Sequence, residues 1–248
     1  MLHEGPTARV PEGATEVSSP ERPGRRFQPT TERLLDADLR SLASRLPGAR
    51  IGLLLAPEFP GPQGVTDLLA VTRSGAALEK RLRSGIPFVT SLSDSAVLAA
   101  LSPRRAHTAE FVARRSGMSV NQVRRRLSSL TARGMSTRLE SGNFLRHEVF
   151  TPVGRSYSFE AKVSDWQQGL SQAVRYSVWS DASAVVLLKP PRDLSEVISR
   201  YHGLGIGLAV RDRWLLKPTI GRPDAGLRLV ASELLAKSVS HQKPSPAA

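Results

Sequence analysis

Tyr157-Ser158-Phe159-Glu160-Ala161-Lys162-Val163 alternates apolar and polar residues without a break, the period-two pattern of a β-strand. Tyr157, Phe159, Ala161 and Val163 fall on one face, and Ser158, Glu160 and Lys162 on the other. A carboxylate and an ammonium therefore stand side by side on one rigid face. Metal-assisted phosphodiester hydrolysis needs this pairing, an oxygen ligand for a cation beside a fixed positive charge. The decisive questions are whether a second carboxylate joins the pair and whether another segment holds nucleic acid.

Immediately downstream, Ser164-Asp165-Trp166-Gln167 reads as a capping box and predicts a helix running to about Trp179. Trp166, Leu170, Ala173 and Ser177 form its buried stripe, while Gln172 and Tyr176, four apart, lie together on a neighbouring face. A buried strand is expected over residues 184–188, a short helix over 194–201, strands over 205–210 and 213–216, and a last helix over about 225–236. Upstream, Leu34, Leu35, Leu39, Leu42 and Leu46 recur at helical spacing up to Pro47-Gly48. Residues 51–56 read as a short apolar strand, 57–64 as a turn-rich loop, and 65–71 as a second strand with one acid, Asp67, in its middle.

Residues 85–148 have a different character. Helices are expected over 94–101, from the N-cap Thr108 to Arg115, and from the capping box Ser119-Val120-Asn121-Gln122 onward. On the third helix Val120, Val123, Leu127 and Leu130 face inward, leaving Asn121, Gln122, Arg124, Arg125 and Ser128 outside. A hairpin follows, residues 136–140, a Ser141-Gly142-Asn143 turn, then 144–150. From Leu101 to Arg146 the chain carries ten arginines against Glu110 and Glu140, a net +8 that supplies most of the +13 of the whole chain. Arginine is the residue suited to bidentate phosphate and guanine contacts.

This excess points to duplex DNA as the partner. No run approaches the roughly 20 apolar residues of a membrane span, and the first residues, Met-Leu-His-Glu-Gly-Pro, lack the apolar core of a signal peptide. The expectation is a cytoplasmic protein with no membrane partner. The chain has no cysteine, and its five histidines show no ligand spacing, so a metal would sit on oxygen, which favours magnesium or manganese. Residues 1–29, rich in Pro, Gly and charge, read as a disordered basic arm, and 241–248 as a disordered tail.

Two resemblances follow from these residues. The stretch from Thr108 through Leu127, with the hairpin after it, resembles the winged helix-turn-helix family. That resemblance implies that the helix beginning at Ser119 enters a major groove while the wing touches backbone. Ser119, Asn121, Gln122, Arg124, Arg125, Arg138 and Arg146 are then the DNA-binding residues. The order helix, strand, strand with an acid, strand with Glu-X-Lys, helix with Gln-X-X-X-Tyr resembles the PD-(D/E)XK nuclease superfamily, in its Gln/Tyr-motif branch. It implies an α/β, restriction-endonuclease-like mixed sheet flanked by helices, discontinuous over 30–84 and 149–240, with the winged helix of 85–148 inserted. Residue by residue, Asp67 matches the first acid, Glu160 and Lys162 the Glu-X-Lys pair, and Gln172 and Tyr176 the helix signature. Asp67, Glu160 and the Ala161 carbonyl would hold magnesium. Glu32 is a weaker match to the acid found on the first helix in some members. Two departures stand out, Thr66 in place of the proline often found before the first acid, and the long gap from Asp67 to Glu160.

The expected function is metal-dependent cleavage of DNA anchored by the winged helix, by a homodimer or a subunit of a larger DNA-processing assembly. The alternative is a non-catalytic winged-helix regulator or architectural protein whose nuclease-like core is a binding platform.

Overall fold

The computed structural model describes Pro11, residues 13–17 and residues 32–242. In chain order the elements are β1 (Ala14–Glu16), α1 (Asp36–Ser44), β2 (Leu53–Gly61), β3 (Gly64–Thr72), α2 (Gly75–Arg83), α3 (Leu92–Ala100), α4 (Ala109–Ser116), α5 (Val120–Ala132), β4 (Ser136–Arg138), β5 (Phe144–Arg146), β6 (Arg155–Lys162), α6 (Trp166–Ser177), β7 (Ala182–Leu187), α7 (Leu194–Gly203), β8 (Gly207–Val210), β9 (Arg213–Leu216) and α8 (Ala225–Gln242). They fall into two compact units. The first comprises the described residues through Gly75 with Gly154–Arg222, and the second Ala76–Val153 with the described residues from Pro223 onward.

Among the described residues the first unit is α/β, with a seven-stranded mixed sheet in the order β1-β2-β3-β6-β7-β8-β9. The β1/β2, β6/β7 and β7/β8 pairs are parallel, and β2/β3, β3/β6 and β8/β9 antiparallel. Parallel neighbours need their faces covered. Leu35, Leu39, Leu42 and Leu46, in and around α1, pack on one face against Leu55, Leu68, Tyr157, Phe159 and Val186. Ala173 of α6, with Val197 and Tyr201 of α7, covers the other face against Val185, Leu187 and Leu208. Strand β6 is buried on both faces. Its apolar set joins the α1 side, while Ser158 shares hydroxyl hydrogen bonds with Ser180 (3.0 Å) and Ser183 (2.7 Å).

In the second unit α3, α4 and α5 enclose Val97, Leu98, Val112, Val123, Leu127 and Leu130. The β4/β5 hairpin follows with three rungs, and His107 forms a separate antiparallel bridge with Phe144. Thr108 caps α4 by accepting from Phe111 N (3.1 Å). Ser119 and Gln122 form the reciprocal capping box at the start of α5.

Three expectations are corrected. Residues 14–16, assigned to a disordered arm, form an edge strand. Val17 behind it is buried, and Glu16 accepts from Arg40 Nε (2.9 Å) and Nη2 (2.7 Å), which repays the ordering. Residues 1–10, 12 and 18–29 of that arm, and 243–248 of the tail, lie outside the described residues, whereas His241 and Gln242 complete α8. The expected loop at 57–64 is largely strand. Among the described residues β1 pairs with Leu53 to Leu55, and Pro57 and Pro60, which have no N–H to give to a ladder, lie on β2 beyond those rungs. Finally, α8 and most of α2 belong to the second unit rather than to the sheet-bearing one. Arg81 of α2 pairs with Glu233 of α8 through two 2.8 Å hydrogen bonds, and Leu229 of α8 sits in the core beneath α3.

Candidate active site

Strands β3 and β6 pair from Thr72↔Arg155 to Leu68↔Phe159 and separate beyond. The last rung is pinned by Thr66, whose buried hydroxyl donates to the carbonyl of Phe159 at 2.6 Å. Thr66 thus has a structural task of its own. At the fork the next residue on β3 is Asp67 and the next on β6 is Glu160. Asp67 Oδ2 accepts from Ala161 N at 2.7 Å, replacing the ladder bond lost as the strands part.

Glu160 and Lys162 are only 2% and 7% exposed. Lys162 Nζ donates to Glu160 Oε1 (2.7 Å) and to the Ala161 carbonyl (3.1 Å), and lies 3.6 Å from Glu32 Oε1. The other oxygen of Glu160, Oε2, is buried without a hydrogen-bond donor. Tyr176 stands nearby, but its hydroxyl gives its single proton to the Val65 carbonyl at 2.7 Å. A buried carboxylate oxygen without a donor has an unmet demand for positive charge.

Electrostatics carry the same message. Burial, then repulsion from Glu160, raises the Asp67 pKa to about 7. Burial also raises Glu160, against the pull of Lys162. For Lys162 burial opposes the charge, but Glu160, Asp67 and Glu32 together outweigh it and the pKa is raised. Burial, then Glu160, pushes the Tyr176 phenol up. Burial and the repulsion between the two carboxylates thus favour the protonated form of Asp67.

Helix α6 closes the site from one side. The sequence reading put Tyr176 beside the buried stripe; it lies within it, with Gly169 and Ala173. Gln172, one turn earlier, is half-buried with its Oε1 lacking a partner. Gly169 allows the close approach, because a Cβ there would lie 2.8 Å from Val185 Cγ1 and 3.3 Å from Lys162 Cγ. We expect Gly169→Ala to be destabilising. The helix-propensity gain of about 1 kcal/mol is smaller than the roughly 1–3 kcal/mol cost of overpacking, and urea unfolding measures the difference.

On the other side lies a cavity of about 160 Å³ lined by Glu32, Arg33, Asp36, Glu58, Asp67 and Ala161. Glu32, the weaker sequence candidate, is therefore at the site. Glu58 and Asp36 were missed. Glu58 falls between the Pro57↔Leu68 and Phe59↔Thr66 rungs, opposite Asp67, with φ at +49°. Reading 57–64 as a loop hid it, although continuing the alternation of β2 would have placed it beside Asp67. Burial raises the Asp36 pKa.

Among the described residues no three Asp, Glu or His side chains gather closely enough to hold a metal ion by themselves. The residues do fit magnesium in its usual manner, one or two carboxylates with the remaining positions on carbonyl and water. Asp67, Glu160 and the Ala161 carbonyl supply that set, and the orphaned Oε2 of Glu160 is the atom a cation would satisfy.

A pH prediction follows for the protein in chelator. The folded state keeps a proton on Asp67 that the unfolded chain releases, so this group's contribution to stability is present at low pH. It is lost as pH rises through the window from the ordinary aspartate value to about 7. Thermal melts should fall with rising pH across that window, and less steeply in Asp67→Asn. Equal slopes for the two proteins would refute the raised pKa.

In the second unit, Asn121, Arg125 and Arg138 are exposed. Ser119 and Gln122 are exposed too, but their side chains serve the cap, with Gln122 Oε1 accepting from Ser119 N at 3.1 Å. Arg124 donates to Glu110 Oε1 at 2.7 Å. Arg146 turns inward. Its Nη1 donates to the Leu98 carbonyl (3.3 Å), burial lowers its pKa, and its buried Nε lacks a partner. No helix among the described residues is long and apolar enough to cross a membrane. In comparisons with known proteins, the chain matches no family model, no curated protein and no solved structure.

Proposed function

We propose that this chain is a metal-dependent deoxyribonuclease of the PD-(D/E)XK type, in which a winged helix-turn-helix formed by α3 to β5 anchors duplex DNA in the cytoplasm. One observation carries the reading. Asp67 and Glu160, 93 residues apart in sequence, meet where two neighbouring strands fork, with Lys162 beside them and one Glu160 oxygen unsatisfied. A fold kept only for shape gains nothing from burying two carboxylates side by side.

In this reading Asp67, Glu160 and the Ala161 carbonyl hold magnesium or manganese. When bound, that ion supplies Lewis-acid polarisation of the scissile phosphate and a lowered pKa for a bound water. Lys162, fixed by Glu160 and the Ala161 carbonyl, keeps its ammonium where charge develops on the phosphate oxygens. Gln172 offers an amide to the substrate strand, and Tyr176 steadies the fork through Val65. Arg125 of α5 and Arg138 of the hairpin, both exposed, hold the duplex through phosphate contacts.

The non-catalytic alternative, a DNA-binding regulator or architectural protein, has one observation in its favour. Glu160 and Lys162 already form a 2.7 Å ion pair that could be purely structural. Incubating the purified chain with supercoiled plasmid, linear duplex and single strands separates the two. Nicking that requires magnesium or manganese and stops in chelator supports the nuclease. Binding without cleavage under every cation supports the regulator.

A further inference from the structure

We propose that Glu110 sets the selectivity of DNA binding by the second unit, holding the Arg124 guanidinium away from phosphates so that the groove between α5 and the β4/β5 hairpin does not grip any duplex by charge alone. The inference rests on the DNA-anchoring reading above and adds a restraint that the reading does not contain.

The groove has a volume of about 650 Å³. Arg124 and Ser128 of α5 line one wall, Arg138 and Asn143 of the hairpin the other, and Thr108 and Glu110 the start of α4. Two guanidiniums facing one groove form a phosphate-binding arrangement. Glu110 is the one acid among the lining residues, and Arg124 Nη2 donates to its Oε1 at 2.7 Å. The two side chains are 48% and 62% exposed, so the ion pair contributes little to folding. Its effect is on where Arg124 points.

The restraint is well anchored. Glu110 lies in the first turn of α4, where a negative charge suits the helix dipole. Its own backbone N–H, then Arg124, hold its carboxyl below the usual range, so it stays ionised at neutral pH. Other arginines of this face are held differently. Arg126 and Arg133 both donate to Asp94, which is 13% exposed, and so brace α3 against the α5 end. The Glu110 pair alone places a carboxylate inside the groove. A phosphate entering it must displace Glu110 from Arg124 and meet a like charge. Contacts that do more than neutralise charge are thereby favoured over indiscriminate ones.

The test measures binding of a fluorescent mixed-sequence duplex in magnesium-free buffer with chelator, so that cleavage plays no part. Glu110→Gln should bind this duplex severalfold tighter, with the slope of log K against log salt steeper by about 0.9, one additional phosphate contact. Glu79→Gln, which removes the same charge from α2 outside the groove, should bind like wild type. In an Arg124→Gln background the Glu110→Gln effect should vanish, the signature of a residue that works through Arg124. The proposal is overturned if Glu110→Gln leaves affinity and slope unchanged, if Glu79→Gln matches it, or if the effect persists without Arg124. Failure of the wild type to bind duplex at all would instead remove the DNA-anchoring reading, and the restraint with it.

Discussion

Glu160→Gln and Asp67→Asn should each reduce metal-dependent DNA cleavage by about a thousandfold or more, while duplex affinity in chelator stays within about twofold of wild type. Both substitutions preserve shape and remove charge, and the proposed cation binding at the fork depends on charge. A loss of about 4 kcal/mol of transition-state stabilisation corresponds to that rate factor. Lys162→Gln should fall in the same range, since the ammonium held by Glu160 and the Ala161 carbonyl is poised to offset developing negative charge. Single-turnover cleavage of a plasmid gives the rates, and thermal melts check that each variant folds. Glu160→Gln cutting at the wild-type rate is incompatible with the proposed chemistry.

The second large effect concerns stability and is confined to the second unit. Arg81 and Glu233 are 2% and 3% exposed and share two 2.8 Å hydrogen bonds. Arg81 also donates to the Ile86 and Pro87 carbonyls (2.9 Å each), and its guanidinium lies 4.6 Å from the Phe88 ring centre and 5.0 Å from that of Phe150. Glu233 Oε2 in turn accepts from Val89 N at 3.0 Å. Removing one member strands a buried charge and two carbonyls. We expect Arg81→Met to cost about 3–5 kcal/mol, read by urea unfolding. The paired variant Arg81→Met/Glu233→Leu should recover part of that loss, because it removes the uncompensated carboxylate as well. A single variant within about 0.5 kcal/mol of wild type would mean that the bridge is not what holds α2 to α8.

Much of this arrangement was readable from residue order. The alternation of Tyr157 to Val163 predicted the strand and its two faces, and Ser119 with Gln122 predicted the start of α5, because strand period and helix caps are local properties. Glu160 and Lys162 shared a face on the same grounds. What escaped was non-local. Ala14 to Glu16 looked disordered because the strand's partners, Leu53 to Leu55 and Arg40, lie far along the chain. Glu58 was hidden because Pro57 and Pro60, on either side of it, imitate a loop, while the pairing of β2 with β3 is not a local property of the sequence. The membership of α8 was misjudged because a helix near the chain end gives no sign of which core receives its apolar side, and the Arg81 partner of Glu233 is 152 residues away. Arg146 was counted among the exterior arginines, although a carbonyl of α3 draws it inward.

The central claim is that Asp67 and Glu160 share one divalent cation at the fork of β3 and β6. Anomalous diffraction from crystals soaked in manganese tests it most directly. The account predicts a single strong peak in contact with both carboxylates and near the Ala161 carbonyl, at about 2.1–2.2 Å from the ligand oxygens, and no such peak in Glu160→Gln. An empty fork at manganese concentrations that support cleavage, with Lys162 still paired to Glu160, would contradict it.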